Sequence, residues 1–312
     1  MDELKDPRKT FGEALVTAAH KNDRIVALSA DSSGGSGMTP FREQFPGRHF
    51  EFGIMEQGIM GFASGLATTG KIPFFAAIAP FVTARPFEMF RNDLGYMCQN
   101  VKVVGRCAGL TYSDLGATHQ SLDDIAIIRT IPGVTVINLG DPVDIVKAVH
   151  AAAEHIGPVY IKIGSPKMPV LMDENYPFKI GKGVVLEEGN DIAIIATGTL
   201  LSKAVVATKA LQKKGIHPRL INMHTIKPLD KELVLKAAAE TGKIVTVEEG
   251  YLAGGLGGCI AELLATEYPT PMKMIGVDDQ YADAGPYEEL LAHLGLQGEQ
   301  IAATVEQFLN MN

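Results

Sequence analysis

Glu56 is a carboxylate set among small and apolar residues, in Gly53-Ile-Met-Glu-Gln-Gly58-Ile-Met-Gly61. It follows a run read as a strand, His49–Phe52. It opens a stretch in which Ile59, Phe62, Ala63 and Leu66 recur at the spacing of one helical face. An acid at a strand's carboxyl end that begins a helix stands where open α/β sheets bind ligands; the competing use is an acid facing the helix macrodipole. His119, in Gly116-Ala-Thr-His119-Gln120, is a second candidate, competing with a capping or surface histidine ahead of a helix. Asp31, before Ser32-Ser33-Gly34-Gly35, reads as a turn former. Glu248 and Glu249 are paired acids at a strand end, read here as a solvated terminus. Gly254-Gly-Leu-Gly-Gly258 matches neither a P-loop nor a dinucleotide fingerprint, so it is expected to serve close packing at a helix start.

Short β-branched runs alternate with amphipathic stretches throughout, the pattern of βαβ units and a largely parallel sheet. The first half predicts strands at 24–29, 49–52, 72–75, 101–105, 134–138 and 159–163. Its helices are expected at 10–20, 57–69, 86–98, 121–130 and 142–155. A proline-containing polar stretch over 164–177 reads as the linker. The second half predicts strands at 192–196, 218–222, 243–248 and 272–276, with helices at 201–214, 231–240, 256–266, 286–294 and 298–309. The expected fold class is therefore α/β, as two doubly wound domains covering 1–178 and 179–312.

With 312 residues the chain can build two cores, and its 46% apolar and 21% charged content is that of a soluble globular protein. The net charge of −8 leaves no basic footprint for nucleic acid. Cys98, Cys107 and Cys259 are odd in number and widely spaced, which suggests neither a disulfide framework nor a zinc site. The charged first residues are no secretory signal, and the longest apolar run, near Phe74–Val82, is too short to span a bilayer. A cytoplasmic location, with no membrane partner, is expected.

Several segments together resemble the transketolase family: Met55-Glu56-Gln57-Gly58, Gly116-Ala-Thr-His119-Gln120 with Asp123 and Asp124, Ile195-Ala-Thr-Gly198, Met223-His-Thr-Ile-Lys-Pro-Leu-Asp230 and Val245-Thr-Val-Glu-Glu-Gly250. They run in collinear order from about Arg8 to near the C-terminus. The family's diphosphate-binding Gly-Asp-Gly motif is missing. The resemblance is thus to a pyrimidine-binding domain plus a C-terminal domain, which implies half of a split enzyme that depends on thiamine diphosphate. A partner subunit would carry the diphosphate and its Mg2+ or Ca2+, and family pairing about a two-fold axis implies an α2β2 assembly.

By the same resemblance, Glu56 would hydrogen-bond N1′ of the cofactor's aminopyrimidine, with burial among Ile54, Met55 and Ile59 keeping a proton available. The thiazolium serves as the electron sink when a ketose loses a two-carbon unit to an aldehyde acceptor. Phe81 would stack on the pyrimidine, with Ile78 and Ala84 standing where many relatives carry further aromatics, and Asp31 would lie near the cofactor. His119 would contact donor hydroxyl or oxyanion groups. Arg8 and Ser36 match sugar-phosphate contacts. Cys107, beside Arg106, stands where the family has a phosphate-binding histidine, and Ser165, flanked by Lys162 and Lys167, stands for a second arginine. Lysines replace a guanidinium fork only as point charges. Leu115 occupies the place of an acid that recognises the acceptor's α-hydroxyl. These departures predict an anionic or modified sugar whose end group differs from the usual phosphate. The alternatives are the β subunit of a 2-oxoacid dehydrogenase, a chain like 1-deoxyxylulose-phosphate synthase, and a non-catalytic regulatory subunit.

Overall fold

The computed structural model describes residues 4–311; Met1, Asp2, Glu3 and Asn312, the outermost residues of the two expected domains, lie outside the described residues. The first half supplies strands β1 (Leu4–Lys5), β2 (Ile25–Ser29), β3 (His49–Glu51), β4 (Ile72–Ile78), β5 (Lys102–Arg106), β6 (Thr135–Leu139), β7 (Val159–Ile163) and β8 (Met168–Pro169). Its helices are α1 (Pro7–Lys21), α2 (Thr39–Gln44), α3 (Glu56–Thr68), α4 (Ala79–Val82), α5 (Phe87–Met89), α6 (Asp124–Arg129) and α7 (Pro142–Glu154). The second half adds β9 (Val184–Glu187), β10 (Ile192–Ala196), β11 (Pro218–Asn222), β12 (Thr225–Lys227), β13 (Ile244–Tyr251) and β14 (Met272–Val277). With them come α8 (Leu201–Gln212), α9 (Lys231–Thr241), α10 (Leu256–Glu267), α11 (Tyr287–His293) and α12 (Gly298–Leu309).

β2, β5, β6 and β7 are buried along their whole length, as the continuous apolar runs of a doubly covered parallel sheet require. The larger sheet runs β12-β6-β7-β5-β4-β2-β3 and the smaller β14-β13-β10-β11-β9, with β12 and β9 antiparallel edges. Helices α1 and α7 cover one face of the larger sheet, around Phe11, Leu15, Ile145 and Val149. On its other face one apolar cluster runs from Leu28, Ile59 and Phe75 through Ile128 into Ile195, Ile221, Val234 and Ile260. The two halves therefore share a core. The architecture is the α/β, doubly wound one expected from the alternating pattern.

Four expectations change in detail. The stretch expected as a helix over 86–98 is the short α5 followed by a π-helical segment, Phe90–Tyr96. The helix expected from Ser121 begins only at Asp124, because Ser121 is held in an antiparallel bridge with Gly109. On α3 the buried face is Ile59, Met60, Ala63 and Ser64, while Phe62 is exposed against the rings of Phe50 and Phe52. The stretch read as a linker holds β8, paired with β1, and is strapped down by Asp141. One oxygen of that carboxylate caps α7 through Val143 N–H and the other accepts from Leu171 N–H (2.5 Å) and Met172 N–H (3.1 Å).

Strand β12 has no counterpart among the expected elements: a segment of the second half leaves its own sheet and pairs with β6 of the first. His224, just before it, is fully buried and stacks on Phe178 at 4.2 Å. Its Nδ1 meets Thr225 Oγ1 at 2.9 Å, whereas Nε2 has no partner, and burial pushes the ring down to about 4. A base whose folded value lies below the ordinary 6.5 stays neutral in the fold while the unfolded chain takes up a proton. Its contribution is thus complete above pH 6.5 and is lost as pH falls toward 4, by about 3 kcal/mol. Denaturant unfolding of wild type and His224→Phe across that window is expected to give a flatter profile for the variant; parallel profiles would contradict it.

Candidate active site

The carboxyl ends of β2, β3, β4, β5 and β7 and the N-termini of α1 and α3 converge on one edge of the larger sheet, where open α/β folds bind ligands. Glu56 is the first residue of α3 and 5% exposed. Its Oε1 accepts from Arg85 Nη1 at 2.8 Å. The Arg85 guanidinium also lies over the Phe81 ring, 4.0 Å from its centroid. The edge of that ring meets His119 at 5.2 Å, and His119 meets Tyr112 at 5.4 Å, both T-shaped. His119 Nδ1 pairs with Thr118 Oγ1 at 2.9 Å, leaving Nε2 as the nitrogen open to a ligand. Glu56, Phe81 and His119 are thus brought together, with Arg85 and Tyr112 joining them. Neither of the last two stands out in the sequence: Arg85 lies in an unpatterned turn, and Tyr112 has no local motif.

The apolar surroundings expected for Glu56 are only half present. Ile59 is buried, but Ile54 is 73% and Met55 49% exposed. Phe62, Tyr96 and Met97 are exposed too, on α3 and the segment packed beside it through Ser64 Oγ and Asp93 O.

A second group gathers around Arg106, the last residue of β5, whose register partner on β4 is Ile78. Arg106 is 1% exposed, donates to Gly164 O at 3.3 Å, and leaves Nε without a partner. Burial lowers its guanidinium to about 10, with Cys107 and Asp6 acting against that, so it is fully cationic at neutral pH. Among the described residues it forms no ion pair. Cys107 follows in a left-handed conformation (φ 53°). Ser165 N–H is held by Thr111 Oγ1 at 3.2 Å, next to the Gly164 carbonyl that Arg106 uses. Ser36 is buried, its Oγ bonding Ala76 O of β4. Gly37 (φ 80°) brings that loop onto Arg8, where a Cβ would collide with the Arg8 carbonyl. Arg8 itself is half-exposed, 3.6 Å from Asp6.

Other candidates sit differently. Asp31 is exposed, with φ 52°, and its N–H donates to Glu51 Oε1 at 2.6 Å; the same oxygen holds Gly53 N–H. Burial raises the Glu51 carboxyl, and those two donors, with Ser29 and His49, more than offset it, leaving it below its usual value. Glu51, at the end of β3, has no sequence signal because its partners are two separate loops. Leu115 is 47% exposed, with its N–H bonded to Tyr112 O at 3.3 Å. Lys162 does not flank an anion site: it is buried, bonded to Asp124 (2.7 Å), Ser121 O and Glu249 O.

Glu248 and Glu249, read as solvated, are each 2% exposed. Successive strand residues point to opposite faces. Glu248 caps α10 through Leu256 N–H and Gly257 N–H, both 2.8 Å, and a Cβ on Gly255 would collide with it, so the glycine run serves close packing. Glu249 accepts from Leu110 N–H (2.5 Å), Tyr287 O–H (2.6 Å) and Thr199 O–H. Leu110 begins the loop that carries Tyr112 and His119; its later residues are tied to the second half by Gly285 N–H to Ser113 O and by Gln120 Nε2 to Asp283 O. Burial pushes both glutamates up, Glu249 most directly opposed by its hydroxyl donors.

Residues 5–168 match the model of the transketolase pyrimidine-binding domain and residues 181–301 that of the transketolase C-terminal domain. The chain belongs to the transketolase family. It is 39% identical to one of the subunits of the apulose-4-phosphate transketolase of Phocaeicola vulgatus, covering 97% of each chain. It is 37% identical to the 6-deoxy-6-sulfo-D-fructose transketolase subunit SqwH of Clostridium sp. (strain MSTE9), covering 96% of this chain and 93% of that one. A solved structure described as a split gene transketolase, inactive beta4 tetramer, superposes with a TM-score of 0.91 at 39% identity, over 97% of this chain and 98% of that one.

Glu249→Ala removes the acceptor for three buried donors and is expected to cost about 2–4 kcal/mol of stability. Hydrogen exchange should show amides 110–120 losing protection first. Uniform loss across the chain would contradict the loop-holding role.

Proposed function

We propose that this chain is the smaller subunit of a split, thiamine-diphosphate-dependent transketolase, a transferase that moves a two-carbon ketol unit from a ketose to an aldose. The observation that carries this is the cluster of Glu56, Phe81 and His119 at the carboxyl ends of the strands, in a chain that covers nearly the whole of split relatives and lacks the diphosphate motif. Its two units divide at 178/179, a pyrimidine-binding domain and a C-terminal domain. We take its location to be the cytoplasm; no helix among the described residues is long and apolar enough to cross a membrane.

The residues fit the pyrimidine end of the cofactor: a planar cationic group already sits against both Glu56 and Phe81. When bound, the cofactor supplies the electron sink for breaking the ketose C2–C3 bond. Glu56 would hold or share a proton at N1′, Phe81 would fix the plane of the ring, Ile78 would border it, and Asp31 would lie at its rim, ordered by Glu51. His119 would bond donor hydroxyls through Nε2. Mg2+ or Ca2+ and the diphosphate belong to the partner, in an α2β2 assembly whose contact includes Ile54, Met55 and Phe62.

Arg106 gives the substrate its chemistry. A buried guanidinium without a counter-ion is stabilised by an anion. We assign the sugar's anionic end group to Arg106, with Arg8, Ser36, Cys107 and Ser165 around it and Leu115 leaving the acceptor's α-hydroxyl without an acid. The relatives named for a sulfosugar and for a sugar phosphate support an anionic end of either kind. With the partner present, Glu56→Gln is expected to lower kcat by at least about 100-fold. Xylulose 5-phosphate should be turned over less efficiently than by ordinary transketolases; equal efficiency would contradict the altered end-group site.

A further inference from the structure

We infer that Arg85 is a stand-in for the cofactor's aminopyrimidine, competing with it for Glu56 and the Phe81 face and leaving when the cofactor binds. The inference rests on assigning Glu56 and Phe81 to the pyrimidine, as proposed above. An aminopyrimidine held there has to meet two demands at once: a ring nitrogen bonded to the Glu56 carboxyl and a flat face against Phe81. The Arg85 guanidinium already meets both. Its Nη1 donates to Glu56 Oε1 at 2.8 Å, and its carbon lies 4.0 Å from the Phe81 centroid. Guanidinium and aminopyrimidine are both planar, delocalised groups with N–H donors at the rim and a face that stacks on aromatic rings. A lysine would satisfy the carboxylate but not the ring.

Exposure sets the direction of exchange. Glu56 is 5% exposed and anchored at the start of α3, whereas the Arg85 side chain is 40% exposed, on the turn after α4. Arg85 can withdraw into water with its charge solvated, while the glutamate stays. His119 packs T-shaped against Phe81 while Arg85 covers a face of the ring, and that face is the one given up. The arginine neutralises a buried carboxylate that would otherwise be unpaired. Cofactor binding then exchanges one planar partner for another, and the lost ion pair lowers the apparent affinity.

The test is a calorimetric titration of thiamine diphosphate with Mg2+ into the co-purified complex with the partner subunit. Arg85→Ala is expected to bind about two- to fivefold more tightly than wild type, the range of a half-exposed ion pair. Arg85→Lys, which keeps the charge without the flat fork, should fall between them. Equal or weaker binding by Arg85→Ala overturns the inference, since a residue that remains beside the cofactor would be missed. Glu56→Ala and Phe81→Ala, measured in parallel, test the seat itself. Unchanged binding in both would remove the pyrimidine assignment and the stand-in with it, whereas weakened binding in them with no gain in Arg85→Ala removes only the stand-in.

Discussion

Charge taken out of water has to be answered by fixed partners, and in this protein the chain of partners crosses from one half to the other. Lys162 of β7 and Asp124 of α6 form a buried ion pair at 2.7 Å, Tyr160 donates to the second Asp124 oxygen, and Lys162 reaches the main chain of Glu249. Glu249 in turn accepts from Leu110, Tyr287 and Thr199. Breaking one member of such a network leaves an uncompensated charge, at a cost of about 3–5 kcal/mol. The network fixes both the junction of the two sheets and the loop that ends in His119. The C-terminal half thus reaches the catalytic face through hydrogen bonds, without contributing a candidate catalytic residue of its own.

The same principle separates the site into two electrostatic parts. Glu56 is a buried acid met by a half-exposed cation. Arg106 is a buried cation that donates to a carbonyl and forms no ion pair among the described residues. One carboxylate is provided with an exchangeable partner and one guanidinium is left short of an anion. The first suits a bound heterocycle and the second the charged end of a substrate. The exposed apolar residues beside Glu56 form the surface proposed to meet the partner chain.

The doubly wound plan is written plainly in the chain, because strands covered on both faces must be continuously apolar; 192–196 and 218–222 are legible to the residue. Edge elements are not. Val184–Glu187 is short and buries no side chain fully, so its periodicity is weak, and Thr225–Lys227, only three residues long, belongs to a sheet that sequence order does not indicate. Glu56 stands out because an acid among small apolar residues is locally anomalous. Glu248 and Glu249 do not, since what buries them is the distant Leu110, Thr199 and Tyr287 on one side and a helix start on the other. Lys162 is misread from sequence for the same reason: its acid is 38 residues away. Arg85 gives no signal because its role depends on the geometry of a turn, which no periodicity announces.

The central claim is that this chain holds half of a cofactor site. It is tested most directly by calorimetric titration of thiamine diphosphate and Mg2+ into this chain alone, into the partner alone and into the two co-purified. The account predicts stoichiometric binding to the complex that weakens at least tenfold with Glu56→Gln, and no comparable binding to the isolated chain. Equal binding by the partner alone and by the complex, unaffected by Glu56→Gln, would contradict it.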